Sequence, residues 1–342
     1  MESPLLARTG AVPAQGIDAG VAAHYGDPYA EQRALARAAG LVDRSHREIV
    51  RIAGEDRLSW LHSLTTQDLQ QLEPGTTAQA LVLSPQGHIE HHLTLVDDGT
   101  AVWAHVEPGT AGPLLAFLGS MRFLLRVDLA DVTSEFAVLT LMGSQRPAAP
   151  DGTAAAMPDA FGMDVVVPRD RLTEVAAAVE GGGAAVAGLA AYEALRIAAH
   201  RPRFGLDTDH KTLPHEVGWI ETAVHLDKGC YRGQETVARV HNLGHPPRRL
   251  VLLHLDGSED RLPVHGDPVT RDDTVVGFVG SAARHFELGP VGLGLIKRTV
   301  PVDAALRAGG LPAAQEVVVS PDAGANVSIT LKRRSALARP GS

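Results

Sequence analysis

The sequence predicts an α+β protein whose final third closes into a small antiparallel β-barrel. Two observations carry this. Through about residue 245, helical apolar periodicity alternates with short strand-like runs, and from Arg248 onward only short strands remain, separated by Gly, Pro and Asp. The length of 342 residues allows two or three well-filled domains.

The stretch from Met1 to Gly26 is rich in Gly, Ala and Pro, has no clear period, and reads as a loosely ordered lead-in. Asp27 can cap a helix, Pro28 suits its first position, EQRALARAA carries the pattern, and Gly40 suits its C-terminal end. A strand is expected at Glu48 to Ile52, then a helix with Leu58, Leu61 and Leu64 spaced three apart. AQALVLS and HIEHHLTLV flank Pro85-Gln86-Gly87, a hairpin turn. FAVLTLM (136–142) and MDVVVP (163–168) read as strands on either side of a Pro/Ala/Gly-rich loop, and RLTEVAAAVE as a helix. EGGGAAVAG resembles a linker, and a helix from about Leu189 to Ala199 stops before Pro202. RRLVLLHLDG, TVVGFVGSA, GLGLIKR, QEVVVSP and NVSITLKRR supply barrel strands.

Forty acidic against 31 basic residues give a net charge of -9, which argues against bulk nucleic-acid binding. The N-terminus has no secretory pattern and no stretch is apolar enough to span a bilayer, so a cytoplasmic protein without a membrane partner is expected. The single cysteine, Cys230, excludes an intrachain disulfide or a self-contained cluster site.

Cys230 lies in KGCYRGQETVAR, between Gly229 and Gly233 and ahead of an expected helix. Lys228 and the amides of that helix would both favour a thiolate, so Cys230 is expected to be reactive and partly exposed. A buried packing residue is the plainer reading of a lone cysteine. His88, Glu90 and His92 share one strand face, better suited to a wet channel wall than to a metal. Arg201, Arg203, Lys211, Lys228, Arg232, Arg239, Arg248 and Arg249 form a basic cluster fit for ligand carboxylates, or simply scattered solvated side chains.

Lys228-Gly229-Cys230-Tyr231-x-Gly233-Gln234-Glu235 with Arg239 resembles the signature of the YgfZ-type folate-binding proteins, relatives of the glycine cleavage system T-protein (aminomethyltransferase). The resemblance continues through Trp60 to Leu69, Pro85-Gln86-Gly87, Leu195-Arg196-Ile197 with Phe204-Gly205, Gly280-Ser281 and Gly292 to Arg298. It implies a three-part cloverleaf of the T-protein type around a central tetrahydrofolate channel. Its parts would be residues 27–245 with a second α+β subdomain at about 131–187, a barrel at 246–335 and a tail at 336–342. It also implies a role in assembling or maintaining iron–sulfur (4Fe-4S) proteins, with client or assembly proteins as partners and indirect effects on tRNA modification. His91, His92, Arg196, Arg203 and Glu216 become candidates for the channel, and Cys230, expected to be at least partly exposed toward that channel, for the catalytic or contact group. Where the transferases carry an Asp-Asp pair this chain has His91 and His92, and where they carry a pterin-binding Glu it has Ala198. The resemblance therefore implies a retained binding scaffold without the transfer chemistry. An enzyme moving one-carbon units on tetrahydrofolate is the alternative, and a folate-responsive binding module a third.

Overall fold

The structure, a computed structural model, describes residues 1–324. The expected strand NVSITLKRR and the tail lie outside the described residues. Two five-stranded sheets and one closed barrel form the frame. The first sheet runs Thr77–Leu83, Ile89–Asp97, Ala101–Val106, Glu48–Ala53, Asp128–Asp131, all antiparallel. The second runs Ala155–Pro158, Met163–Pro168, Phe136–Met142, Gly40–Asp43, Ala185–Ala187, with only the last pair parallel. It therefore takes one strand from well before the expected 131–187 boundary. The barrel closes where Arg248–Leu255 pairs with Leu311–Val317.

Local chemistry explains most elements. Asp27 accepts from the amides of Tyr29 and Ala30, starting the helix Pro28–Arg37. That helix stops short of Gly40, which instead opens a strand. A Cβ there would lie 2.5 Å from the end of the buried Leu35 side chain and 3.2 Å from the Ala185 carbonyl oxygen, so glycine serves close packing there and not a cap. In the strand Arg248–Leu255, Val251, Leu253 and Leu255 fill the barrel, while Leu250 and Leu252 join the core shared with the helices. Burial on both faces is why its sequence is apolar without alternation.

Two expectations are corrected. The lead-in from Met1 to Gly26 is held in place: Leu5 and Val21 are buried, Ser3 donates to Asp43, and Val12–Pro13 pairs with Ala22–His24. The linker-like EGGGAAVAG contains the edge strand Ala185–Ala187, hidden because small residues carry no period.

The hairpin turn also meets the cysteine segment. Gly87 and Gly233 both have positive φ (+81° and +82°), and a Cβ on Gly233 would sit 2.6 Å from the Ser84 carbonyl oxygen. Gly233→Ala is expected to cost about 1–3 kcal/mol, combining backbone strain with a clash against main chain, as read by urea denaturation. An unchanged midpoint would mean that this contact is slack.

Candidate functional site

The segment 228–239 is a built loop. The Lys228 ammonium is buried beneath the end of the helix Arg57–Leu64, where it donates to the carbonyls of His62, Thr65 (2.7 Å) and Gln67 (2.8 Å). It thus neutralises the helix's negative end. Burial pulls its pKa down to about 8. The Tyr231 ring lies in the main core with the Lys228 ammonium 5.4 Å from its centroid. Gln234 reaches back 3.4 Å to the Lys228 carbonyl, and Arg232 pairs with Glu90 at 2.9 Å. The helix Gln234–Asn242 follows from Gly233, with Glu235 and Arg239 exposed.

Lys228, Tyr231 and Gly233 are anchored, while Gly229 and Cys230 between them are exposed. The Lys228 ammonium spends its hydrogen bonds on three backbone carbonyls, so it is held under the helix end as a structural anchor. Cys230 does not line the central cavity, whose wall reaches Asp227 and goes no further along this segment.

That cavity, of about 1060 Å³, lies between both sheets, the helix Leu189–Ala198 and the chain leaving the barrel. Its deep wall is an ionic network. Arg44 pairs with Asp164 (3.0 Å) and stands 4.5 Å over the Tyr192 ring. Arg47 donates to Glu107 and, at 2.9 Å, to His105 Nδ1, while His105 Nε2 lies 2.8 Å from Asp164. Arg203 meets Glu107 (2.7 Å), Asp18 (2.9 Å) and Glu193 (3.0 Å). Arg196 holds Glu193 (2.9 Å) and Asp207 (2.9 Å), and Asp207 in turn accepts from Ser281 of the barrel at 2.7 Å. Burial alone would raise the carboxyls of Asp164 and Glu107, but the guanidiniums hold both well below the usual range. Asp18 ties the N-terminal lead-in to this network.

The candidate channel residues divide accordingly. His92 reaches the cavity, stacked on Trp219 with centroids 4.3 Å apart and planes at 5°. His91 faces away from the cavity lining, buried between Ile89 and Leu93. Arg196 and Arg203 line the cavity but are committed to internal carboxylates. Glu216 is fully buried outside it, accepting from the Leu213 amide and from Arg248. The basic cluster mostly dissolves into pairs: Arg201 with Asp159, Arg232 with Glu90, Arg248 with Asp209. Arg249 is enclosed in the barrel, on Gln315 and the Val300 carbonyl. Among the described residues no group of three or more His, Cys, Asp or Glu is placed to hold a metal ion, and no helix is long and apolar enough to cross a membrane.

Sequence reading missed Arg44, Arg47, Glu107, Asp164, Tyr192 and Trp219. The available signal was charge bounding apolar strand runs, as in LVDRSHREIV and AVWAHVE.

Burial pushes His91, His105 and His215 down to about 4 and His92 to about 3, helped at His92 and His105 by Arg47. A histidine whose folded pKa is depressed binds protons preferentially when unfolded. Its stabilisation is full above about pH 6.5 and is lost as pH falls toward 4. Between pH 7 and pH 5 each is expected to remove roughly 1–2 kcal/mol, a loss that urea melts across this range should show. Stability level from pH 7 to pH 5 would contradict it.

Two mixed α+β parts and a barrel surround the cavity, a fold of the T-protein type. Residues 12–151 match the family model of the GCVT N-terminal domain. The chain is 26% identical over 324 residues to the aminomethyltransferase of Nostoc sp. (strain PCC 7120 / SAG 25.82 / UTEX 2576), covering 83% of this chain and 85% of that one. It is also 26% identical over 242 residues to the mitochondrial iron-sulfur cluster assembly factor IBA57 homolog of Mycosarcoma maydis, covering 64% of this chain and 59% of that one. It spans 65% of the length of a related chloroplastic protein of Arabidopsis thaliana. The crystal structure of glycine cleavage system aminomethyltransferase T from Bartonella henselae shares the fold, with a TM-score of 0.76 and 18% identity over 92% of this chain and 94% of that one.

Proposed function

We propose that this chain is a YgfZ-type, tetrahydrofolate-binding accessory factor in the assembly or maintenance of 4Fe-4S proteins, and that Cys230 is the group it presents to partner proteins. The observation that carries this is the contrast at Cys230. Lys228, Tyr231 and Gly233 are each locked to a different element, and the thiol between them is left in solvent. The fungal relative, named as an iron-sulfur cluster assembly factor, supports the reading.

Aminomethyl transfer is the competing reading, since relatives named aminomethyltransferase match as well. The cavity favours the first. Its deep carboxylates, Glu107 and Asp164, are clamped by arginines and held far too low to act as bases near neutral pH. Where the resemblance places the transferases' Asp-Asp pair this chain has His91 and His92, and His92 is packed on Trp219.

The cavity, slightly larger than the usual small-molecule site of about 300–1,000 Å³, has room for a folate-sized ligand. Tyr192, Trp219 and Val217 would hold its ring system, and the polar edge of Gln79 and His92 would orient it. Bound tetrahydrofolate is a carrier of one-carbon units. Binding stabilises the native state by RT ln(1 + [L]/Kd), about 2.7 kcal/mol at a hundredfold excess over Kd. Millimolar tetrahydrofolate is expected to raise the melting temperature by several degrees, without tetrahydrofolate-dependent release of ammonia or formaldehyde. An unmoved melt with flat calorimetry would remove the folate, and release at enzymatic rates would favour the transferase.

A further inference from the structure

A second cleft, of about 880 Å³, shares two walls with the central cavity. Leu213 and Arg239 line it, while His215 and His241 of the same two segments line the cavity. The hairpin turn at Pro85, Gln86 and His88 forms its far side, and His245 and Pro247 close one end. No Asp or Glu lines it, in a chain with nine more acids than bases. Arg239 is exposed, and among the described residues no carboxylate lies within ion-pair distance of it, whereas the arginines deep in the central cavity are all paired. Glu235, one turn earlier on the helix, stands outside the cleft. Beside Arg239 the cleft is mixed: Leu243 is 56% exposed over the buried Val240 and Leu213, and Gln86, His88, Thr236 and His245 supply polar edges.

We infer that this cleft docks an acidic, leucine-bearing segment of another protein. Arg239 would meet a carboxylate, and Leu243 with its apolar neighbours would receive the adjoining side chain. A nucleic acid fits less well, because phosphate neutralisation needs several cations and the chain as a whole is acidic. A small free anion fits less well too, because an open cleft with one guanidinium does not enclose it. Gly233 packs on Gly87 at the cleft's edge, so a segment seated here would pass beside the loop that carries Cys230. The inference stands apart from the iron–sulfur reading, since it needs neither folate nor the thiol.

The test is a titration of the isotope-labelled full chain, at low salt, with a twelve-residue peptide of alternating Glu and Leu. Parallel titrations use a Lys-Leu counterpart, triglutamate and a twelve-base oligo-dT. The Glu-Leu peptide is expected to shift the amides of Thr236, Arg239 and Leu243. Arg239→Glu should weaken it at least tenfold and Leu243→Ser severalfold, with melting temperatures unchanged, while Cys230→Ala binds normally. No shift at millimolar peptide, equal binding by Arg239→Glu, or equal shifts with triglutamate, oligo-dT or the Lys-Leu peptide would each overturn the inference.

Discussion

Glu107→Gln is expected to destabilise the protein by about 3–5 kcal/mol, although glutamine has nearly the same shape. Glu107 is 4% exposed and accepts from both Arg47 and Arg203. Arg203 would keep Asp18 and Glu193. Arg47 would keep only His105 Nδ1, a neutral acceptor, and so would remain a buried cation without an anion. Losing one partner of a buried pair leaves the desolvation cost of the other uncompensated, and that cost dominates. Arg47→Met combined with Glu107→Leu should accordingly be less harmful than Glu107→Gln alone. Urea denaturation checks both statements. A loss under about 1 kcal/mol for Glu107→Gln would show that water reaches the network and that its charges are not held dry.

This network also marks the limit of sequence reading. Local chemistry was legible: Asp27-Pro28 starts a helix, Pro85-Gln86-Gly87 turns a hairpin, and short strands after Arg248 close a barrel. Long-range pairing was not. Arg203 finds Asp18 185 residues away, and Lys228 finds the Thr65 carbonyl 163 residues away. Neither pairing leaves a periodic trace, so the N-terminal lead-in read as loose and Lys228 as a neighbour for the thiol. Arg196 and Arg203 read as ligand contacts for the same reason: an arginine's residue type does not show whether its partner is a substrate or a carboxylate of the chain. Ala185–Ala187 was hidden because an edge strand of small residues resembles a linker. The segment around Cys230 was legible as special. What it does geometrically, locking a helix end, a hairpin turn and the core around one exposed residue, needed the fold.

Cys230→Ala is expected to abolish function with little change in stability, the opposite of Glu107→Gln. Cys230 is exposed, and no described side chain packs its loop position into the core, so its removal leaves no cavity. The anchors on either side, Lys228 with its three carbonyls and Gly233 against the hairpin, hold the loop whatever residue stands at 230. Cys230→Ser keeps the size and the hydrogen-bonding capacity and removes only the sulfur chemistry. The decisive measurement is the activity of a 4Fe-4S enzyme in cells lacking this protein and supplied with wild type, Cys230→Ala or Cys230→Ser at equal levels. Recovery is expected with wild type and none with either variant, all three proteins melting alike. Full recovery with both variants would contradict it, leaving Cys230 without a role in the function proposed here.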